Sequence, residues 1–495
     1  MNNYLFVPKI FVDNVNEIIA SYPPVLPHRK VKKDVFFFIL HQIIMLPIVI
    51  EDFQKYLYTP LSSKKMREFH KNWKHYANYL IDNNVIETDN KYIPDEKAIG
   101  YRLAEAYQEH ELQKVEVSDY TLKKALAKIK STKPVPKEFR FLQKNLDKLE
   151  IDVNNAITFF EILIHKQIAD ERRSGKFKTE KAINWLKEHK TKSFDSSKFP
   201  VLELNTGIKG HFDQNIYRFH SPITRMKKEM RNFLKYDGQE MVNIDIKNSQ
   251  PYFLSAILTP EFFDVENTRI LSLSNKRIQK NNKLQSSTIM MAKNELSLDK
   301  QDVQEYKNLV VSGEFYEFFL YHIAQMGKSN IIPDRNTAKT ATLSMLYEKN
   351  DARYPKLMLM RYIFSEAFPT VFKIMNLVKK DNYKTLSKYL QRIESISVIH
   401  EIALKIHRSN PQIPIITIHD SISTTLEHEA TVKDIIHSEL HNLVGVAPML
   451  ESEYWRSDTA WSELENSFTN ANENNPISSE PKFKKTYRRK RTPRQ

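Results

Sequence analysis

Cysteine is absent from the 495-residue chain, which excludes disulfides, thiolate metal sites and cysteine nucleophiles together. Glycine is nearly as scarce, with 8 residues in all, where an average chain carries about 7%. Folds built on Gly-rich nucleotide loops are therefore disfavoured. The one imitation of such a loop, Gly327-Lys328-Ser329, has His322 where the first glycine is needed. Long apolar runs are missing too. The longest, Val35 to Ile50, contains His41, Gln42 and Pro47 and falls short of the roughly 20 residues that cross a bilayer. It reads as a buried first helix, and a signal sequence would begin nearer residue 1. The expected compartment is cytoplasmic, with no membrane partner. Acidic side chains are absent from the last stretch: from Pro481 onward there are eight Lys and Arg and no Asp or Glu.

What is present has globular proportions, 41% hydrophobic and 27% charged with a net charge of +15, and the length suits about three domains. More than half of the positive excess lies in the tail, on Lys482, Lys484, Lys485, Arg488, Arg489, Lys490, Arg491 and Arg494. Such a tail reads as an arm that tracks phosphates through counterion release. Residues 466–495, Asn- and Ser-rich and then basic, are expected to be disordered.

Residues 1–30 read as a connector stiffened by Pro23, Pro24 and Pro27. Between Ser62 and Asn83, Met66, Phe69, Trp73, Tyr76 and Leu80 recur at spacings of 3, 4, 3 and 4, one face of a helix. Val85 to Thr88 and Ile99 to Leu103, separated by a polar tip, predict a short hairpin. Residues 31–108 thus resemble a winged helix, a module that lays a helix in the major groove of duplex DNA. Residues 109–200 read as a Lys-rich, thumb-like helical region, and residues 201–465 carry the chemistry.

Three stretches matter there. Val242, Ile244 and Ile246 alternate as in a strand that delivers Asp245, and Asn248 or Ser249 then caps a helix with Pro251 in its first turn. Ile415 to Ile418 lead into His419-Asp420-Ser421 and the chain resumes with Ile422, a hairpin with Asp420 at its tip. A carboxylate beside so apolar a strand persists when it meets a cation. Two of them on neighbouring strands would suit Mg2+, which takes a few carboxylates and completes its shell with water and phosphates. In the third stretch Arg335, Lys339, Leu343 and Tyr347 follow at intervals of four, a helix face graded from cationic to aromatic.

In this order the three stretches resemble motifs A, B and C of family A polymerases, most closely those of single-subunit RNA polymerases of phages and mitochondria. The resemblance spans about residues 205–465. It implies an α+β, right-hand palm with an antiparallel sheet and helical fingers, preceded by the winged helix and helical region. It implies a template-dependent nucleotidyltransferase of a phage or mobile element, acting on nucleoside triphosphates along a DNA template, with RNA as a further possible template. Asp245, Asp420 and the Ile246 carbonyl would hold two Mg2+ ions, with Mn2+ as a substitute. Arg335, Lys339, Leu343, Tyr347 and Gln250 would line the nucleotide, Lys339 also protonating the leaving group. His419 and Ser249 would lie by primer and template. Asp213 to Arg218 is similar to the element that precedes motif A, without its glycine and with spacing shifted by one. Gln250 stands where DNA polymerases of the family carry glutamate and RNA polymerases glycine, so the sugar stays open. The competing expectation is a DNA-binding replication initiator or regulator with a vestigial palm.

Overall fold

The computed structural model describes residues 4–25, 31–49, 56–94, 96–108, 112–129, 135–175, 179–205, 210–213, 217–263, 284–298 and 300–473. Of the tail expected to be disordered over 466–495, residues 466–473 are helical and residues 474–495 lie outside the described residues, as does Pro27. The fold is α+β, and the chain divides into Met1–Trp455 and Arg456–Gln495. The described part of the second unit is one helix, Ser457–Glu473. No described helix is long and apolar enough to cross a membrane.

Two apolar cores lie within the first unit. The smaller runs from Leu5 to Leu126. In place of a connector, Tyr4–Pro8 is a strand paired antiparallel with Leu112–Glu116, and Lys9–Ser21 is a helix that buries Phe11 and Val15. The prolines that suggested a linker begin only after this helix has ended. Helix Lys33–Val49 buries six successive residues, Val35 to Leu40, as a helix apolar on all sides must.

The periodic stretch 62–83 forms two helices, Ser63–Phe69 and Trp73–Asp82, because His70 between them is extended at φ −150°. Met66, Trp73, Tyr76 and Leu80 all bury, so the spacing marks the apolar face correctly while running across a turn. Strands Thr59–Pro60, Gly100–Leu103 and Ile86–Thr88 complete a three-stranded sheet in that order. Gly100 is required, since a Cβ there would sit 2.6 Å from that of Tyr58.

The larger core runs from Phe139 to Trp455. The helical region expected over 109–200 is therefore shared: Val117, Leu122 and Leu126 belong to the first core, whereas Phe139, Leu146, Phe160 and Leu186 belong to the second. Phe6 meets Phe199 edge-on, ring centroids 4.8 Å apart, where the two cores adjoin. The heart of the second is a four-stranded antiparallel sheet ordered Ile416–Ile418, Ser421–Thr425, Met241–Ile246, Leu450–Trp455. Asn243 pins its register. The Ser421 and Ser423 hydroxyls each donate to Asn243 Oδ1 at 2.8 Å, in a place where a slip of one residue would turn every side chain to the other face.

Candidate active site

Asp245 is the penultimate residue of the central strand and lies opposite Ser421 on one side and Glu451 on the other. The neighbouring strands Ile416–Ile418 and Ser421–Thr425 meet in a two-residue turn, His419-Asp420. The register that pairs Asp245 with Ser421 thereby brings the Asp420 carboxylate beside it. His419 takes a left-handed backbone at φ 53° to make this turn, a conformation that a non-glycine residue adopts at a cost of about 1–3 kcal/mol. Burial first, and then the negative charge of Asp420, push the Asp245 carboxyl well above the usual carboxylate range; Lys339 and Lys228 counter in part.

These two carboxylates suit a divalent cation. They come from the central strand and from the turn beside it, Asp245 is half-buried and disfavoured as an anion by its surroundings and by Asp420, and a cation between them would relieve both penalties. Ile246 buries its side chain, so only its carbonyl is left to ligate. Among the described residues no cluster of three or more His, Asp and Glu side chains gathers to hold a metal, and the donor set here is a pair.

The basic helix spans Arg335–Tyr347, started by Asp334, whose side chain accepts from the Thr337 N–H at 2.8 Å. Lys339 is exposed, has no ion pair among the described residues, and projects its charge onto Asp245. Arg335 is already partnered: its Nε donates to Glu317 Oε1 at 2.9 Å and its guanidinium lies 5.0 Å from the Tyr316 ring centre. Leu343 is half-buried midway along the same helix. Tyr347 closes it and donates its hydroxyl to Gln250 Oε1 at 2.7 Å. Gln250 is the second residue of helix Ser249–Leu254, which leaves the Asp245 strand through the left-handed Asn248. The two strands and two helices thus bring Asp245, Asp420, Lys339, Tyr347, Gln250 and Ser249 to one region, with Arg335 at its margin.

Four further groups stand there, of which Glu394 and Arg231 were not singled out from the sequence. Glu394, 2% exposed, receives bonds from both Arg218 and Gln250. Burial raises its pKa to about 7 against the pull of Arg218, and the charge of Asp420 adds to the rise. Its signal was present: Leu386, Leu390 and Glu394 stand four residues apart, so an acid occupies the buried stripe of helix Lys384–Ser395. Arg218 was visible only as part of an imperfect motif. Arg231, whose pKa burial lowers, adds its charge to the fields of Asp245, Glu453 and Glu229. Asn248 is 8% exposed, and neither atom of its amide finds a partner among the described residues.

His220 is pushed down to about 4 by burial and by His211 beside it. Surrounding protein, and then Arg218, also hold the His419 imidazole below its usual value.

No protein-family model matches the sequence, and no curated protein does. Among solved structures the chain is similar to the POL domain of Pol1 from M. smegmatis in complex with DNA primer-template and dNTP. Identity is 11% over 69% of this chain and 74% of that one, and the TM-score of 0.32 is too low to establish a shared fold.

Proposed function

We propose that the chain is a template-dependent nucleotide polymerase acting by metal-assisted nucleotidyl transfer, with a DNA template and nucleoside triphosphates as substrates. The observation that carries this reading is the pairing of half-buried Asp245 with Asp420 in the same field as Lys339, which has no ion pair among the described residues. Phosphoryl transfer asks a protein mainly for alignment and neutralisation of charge, and this arrangement offers both signs at one place.

Asp245, Asp420 and the Ile246 carbonyl would hold two Mg2+ ions, which when bound lower the charge on the attacking and leaving oxygens. The chain's own side chains do the rest. Lys339 Nζ meets the triphosphate and supplies a proton to the departing pyrophosphate oxygen. Arg335 exchanges Glu317 for phosphate. Leu343 and Tyr347 contact sugar and base further along the helix, about 6 and 12 Å from Lys339 at 1.5 Å per residue, and His419 and Ser249 border primer and template.

The first core supports a DNA-binding role. Its order of helix, short strand, two helices and a hairpin follows the winged-helix arrangement, and Lys71, Lys74, His75 and Asn78 stand exposed along helix Trp73–Asp82 and its entry. This also keeps the initiator reading in play, and one experiment separates the two. Purified chain is given Mg2+, primed or unprimed single-stranded DNA, and NTPs or dNTPs. Extension by the wild type that is lost in Asp245→Ala and Asp420→Ala, with DNA binding intact, is expected. Absence of extension under every condition would overturn the polymerase in favour of the initiator.

A further inference from the structure

Helices Gln301–Ser312, Phe315–Gln325 and Pro355–Ala367 wall an open trough of about 930 Å3 that contains none of the site residues described above. Its floor is apolar, made by Leu309, Phe318 and Phe368. The floor is also fixed. The Phe318 ring centre lies 5.7 Å from that of Phe368 and 4.5 Å from that of His322, so a ligand laid on it finds the shape already formed. Two large apolar side chains stand at the edge without being covered: Tyr362 is 54% exposed and Met326 42%. Apolar side chains gathered at a surface with polar groups around them mark a place where something docks, and methionine there adapts to whatever is laid against it.

The charge around the trough sets the sign of the occupant. Glu305, Glu314 and Glu366 line it, all exposed and none in an ion pair among the described residues, and neither Lys nor Arg lines it. This is a local reversal in a chain of net charge +15. Carboxylates repel a phosphate backbone, so nucleic acid is the wrong occupant for this face. Shape narrows the choice further. Along one wall Met358, Tyr362 and Glu366 follow at intervals of four, all exposed, an edge of about 12 Å or rather more than two helical turns. A trough that is apolar below and acidic at its rim complements an amphipathic helix whose apolar stripe faces down between flanking lysines or arginines.

We propose that this trough docks an amphipathic, basic helix of a partner protein. The inference stands apart from the polymerase reading, because it uses none of the residues assigned to that reaction.

The probe is a fluorescein-labelled peptide of about 14 residues, roughly four turns, made of leucine and lysine with leucine at spacings of three and four. Its controls are the same residues scrambled so that no apolar face forms, and a leucine–glutamate version. Fluorescence anisotropy with the full chain is expected to show the lysine peptide binding more tightly than either control. Met326→Ala with Tyr362→Ala removes only exposed side chains and is expected to raise its Kd by about tenfold or more at unchanged Tm. Glu305→Lys with Glu366→Lys should weaken the lysine peptide and tighten the glutamate peptide, a reversal that general damage does not produce. Hydrogen exchange is expected to slow over 301–326 and 355–368 when the lysine peptide binds. Equal affinity for the helical and scrambled peptides, trough variants that bind as the wild type does, or protection confined to other segments overturns the proposal. So does a wild type that ignores the peptide but self-associates on sedimentation, with the association lost in Met326→Ala with Tyr362→Ala, which gives the trough to a second copy of this chain.

Discussion

Replacing Asn243 by alanine tests how the sheet holds its two aspartates in register. Asn243 is 4% exposed, and its Oδ1 accepts from two hydroxyls at 2.8 Å. The two losses differ. Ser421 has a second acceptor, the Ile418 carbonyl at 2.9 Å, and forfeits about 1 kcal/mol, the net worth of an ordinary hydrogen bond. Ser423 is fully buried and would be left as an orphan donor at about 1–3 kcal/mol. The sum is about 2–4 kcal/mol, which on the scale of about 1.4 kcal/mol per factor of ten speeds local opening by roughly 30- to 1,000-fold.

Hydrogen exchange followed by mass spectrometry on peptides covering 241–246 and 415–425 reads that opening directly, without requiring the whole chain to unfold in two states. The distinguishing arm is the double variant. Adding Ser423→Ala removes the orphan hydroxyl, so Asn243→Ala with Ser423→Ala should exchange more slowly than Asn243→Ala alone. Acceleration of less than about threefold in the single variant, or a double variant faster than the single, would refute the accounting.

Other outcomes follow from the same geometry. With no divalent cation, Glu394 keeps its proton to about pH 7 and Asp245 is shifted in the same direction. The folded chain then binds more protons than the unfolded one between the ordinary carboxyl value and about pH 7, so stability falls as pH rises through that window. Mg2+ opposes this at Asp245, and the rise in Tm on adding Mg2+ should grow from about pH 5.5 to about pH 7.5; calorimetry showing a pH-independent rise would contradict it. Lys339→Ala is expected to lower nucleotide kcat/KM by about 100-fold or more with Tm unchanged, because the side chain is exposed. A double-mutant cycle on Phe6 and Phe199, whose rings meet at 4.8 Å, should return a coupling of about 0.5–1.5 kcal/mol by thermal denaturation, and zero coupling would mean that this contact does not join the two cores.

Much of the site's local structure was legible in the sequence for a physical reason. Strand alternation at Val242, Ile244 and Ile246, and the interruption of an isoleucine run by His419-Asp420, are local patterns that report burial directly. The four-residue spacing from Arg335 to Tyr347 gave the basic helix in the same way. What was not legible depends on partners distant in sequence. Gln250 meets Glu394 144 residues away and Arg218 meets it 176 away, and nothing in the local pattern of Glu394 names either partner. Helix 63–82 was misread as continuous because the apolar face persists across His70. Strand Tyr4–Pro8 escaped notice because all four residues after Tyr4 are buried, which erases the alternation that marks a half-buried strand.

The pairing of Arg335 with Glu317 bears on the two aspartates. An arginine on the helix that also carries Lys339 is attracted by paired carboxylates, where it would occupy the place of a cation. Glu317 competes for it from outside, and because both partners are about half exposed the bond is weak enough to yield to a polyphosphate. On the proposed function, Glu317 would thereby act as a keeper, holding the guanidinium until a ligand of greater charge than its own displaces it.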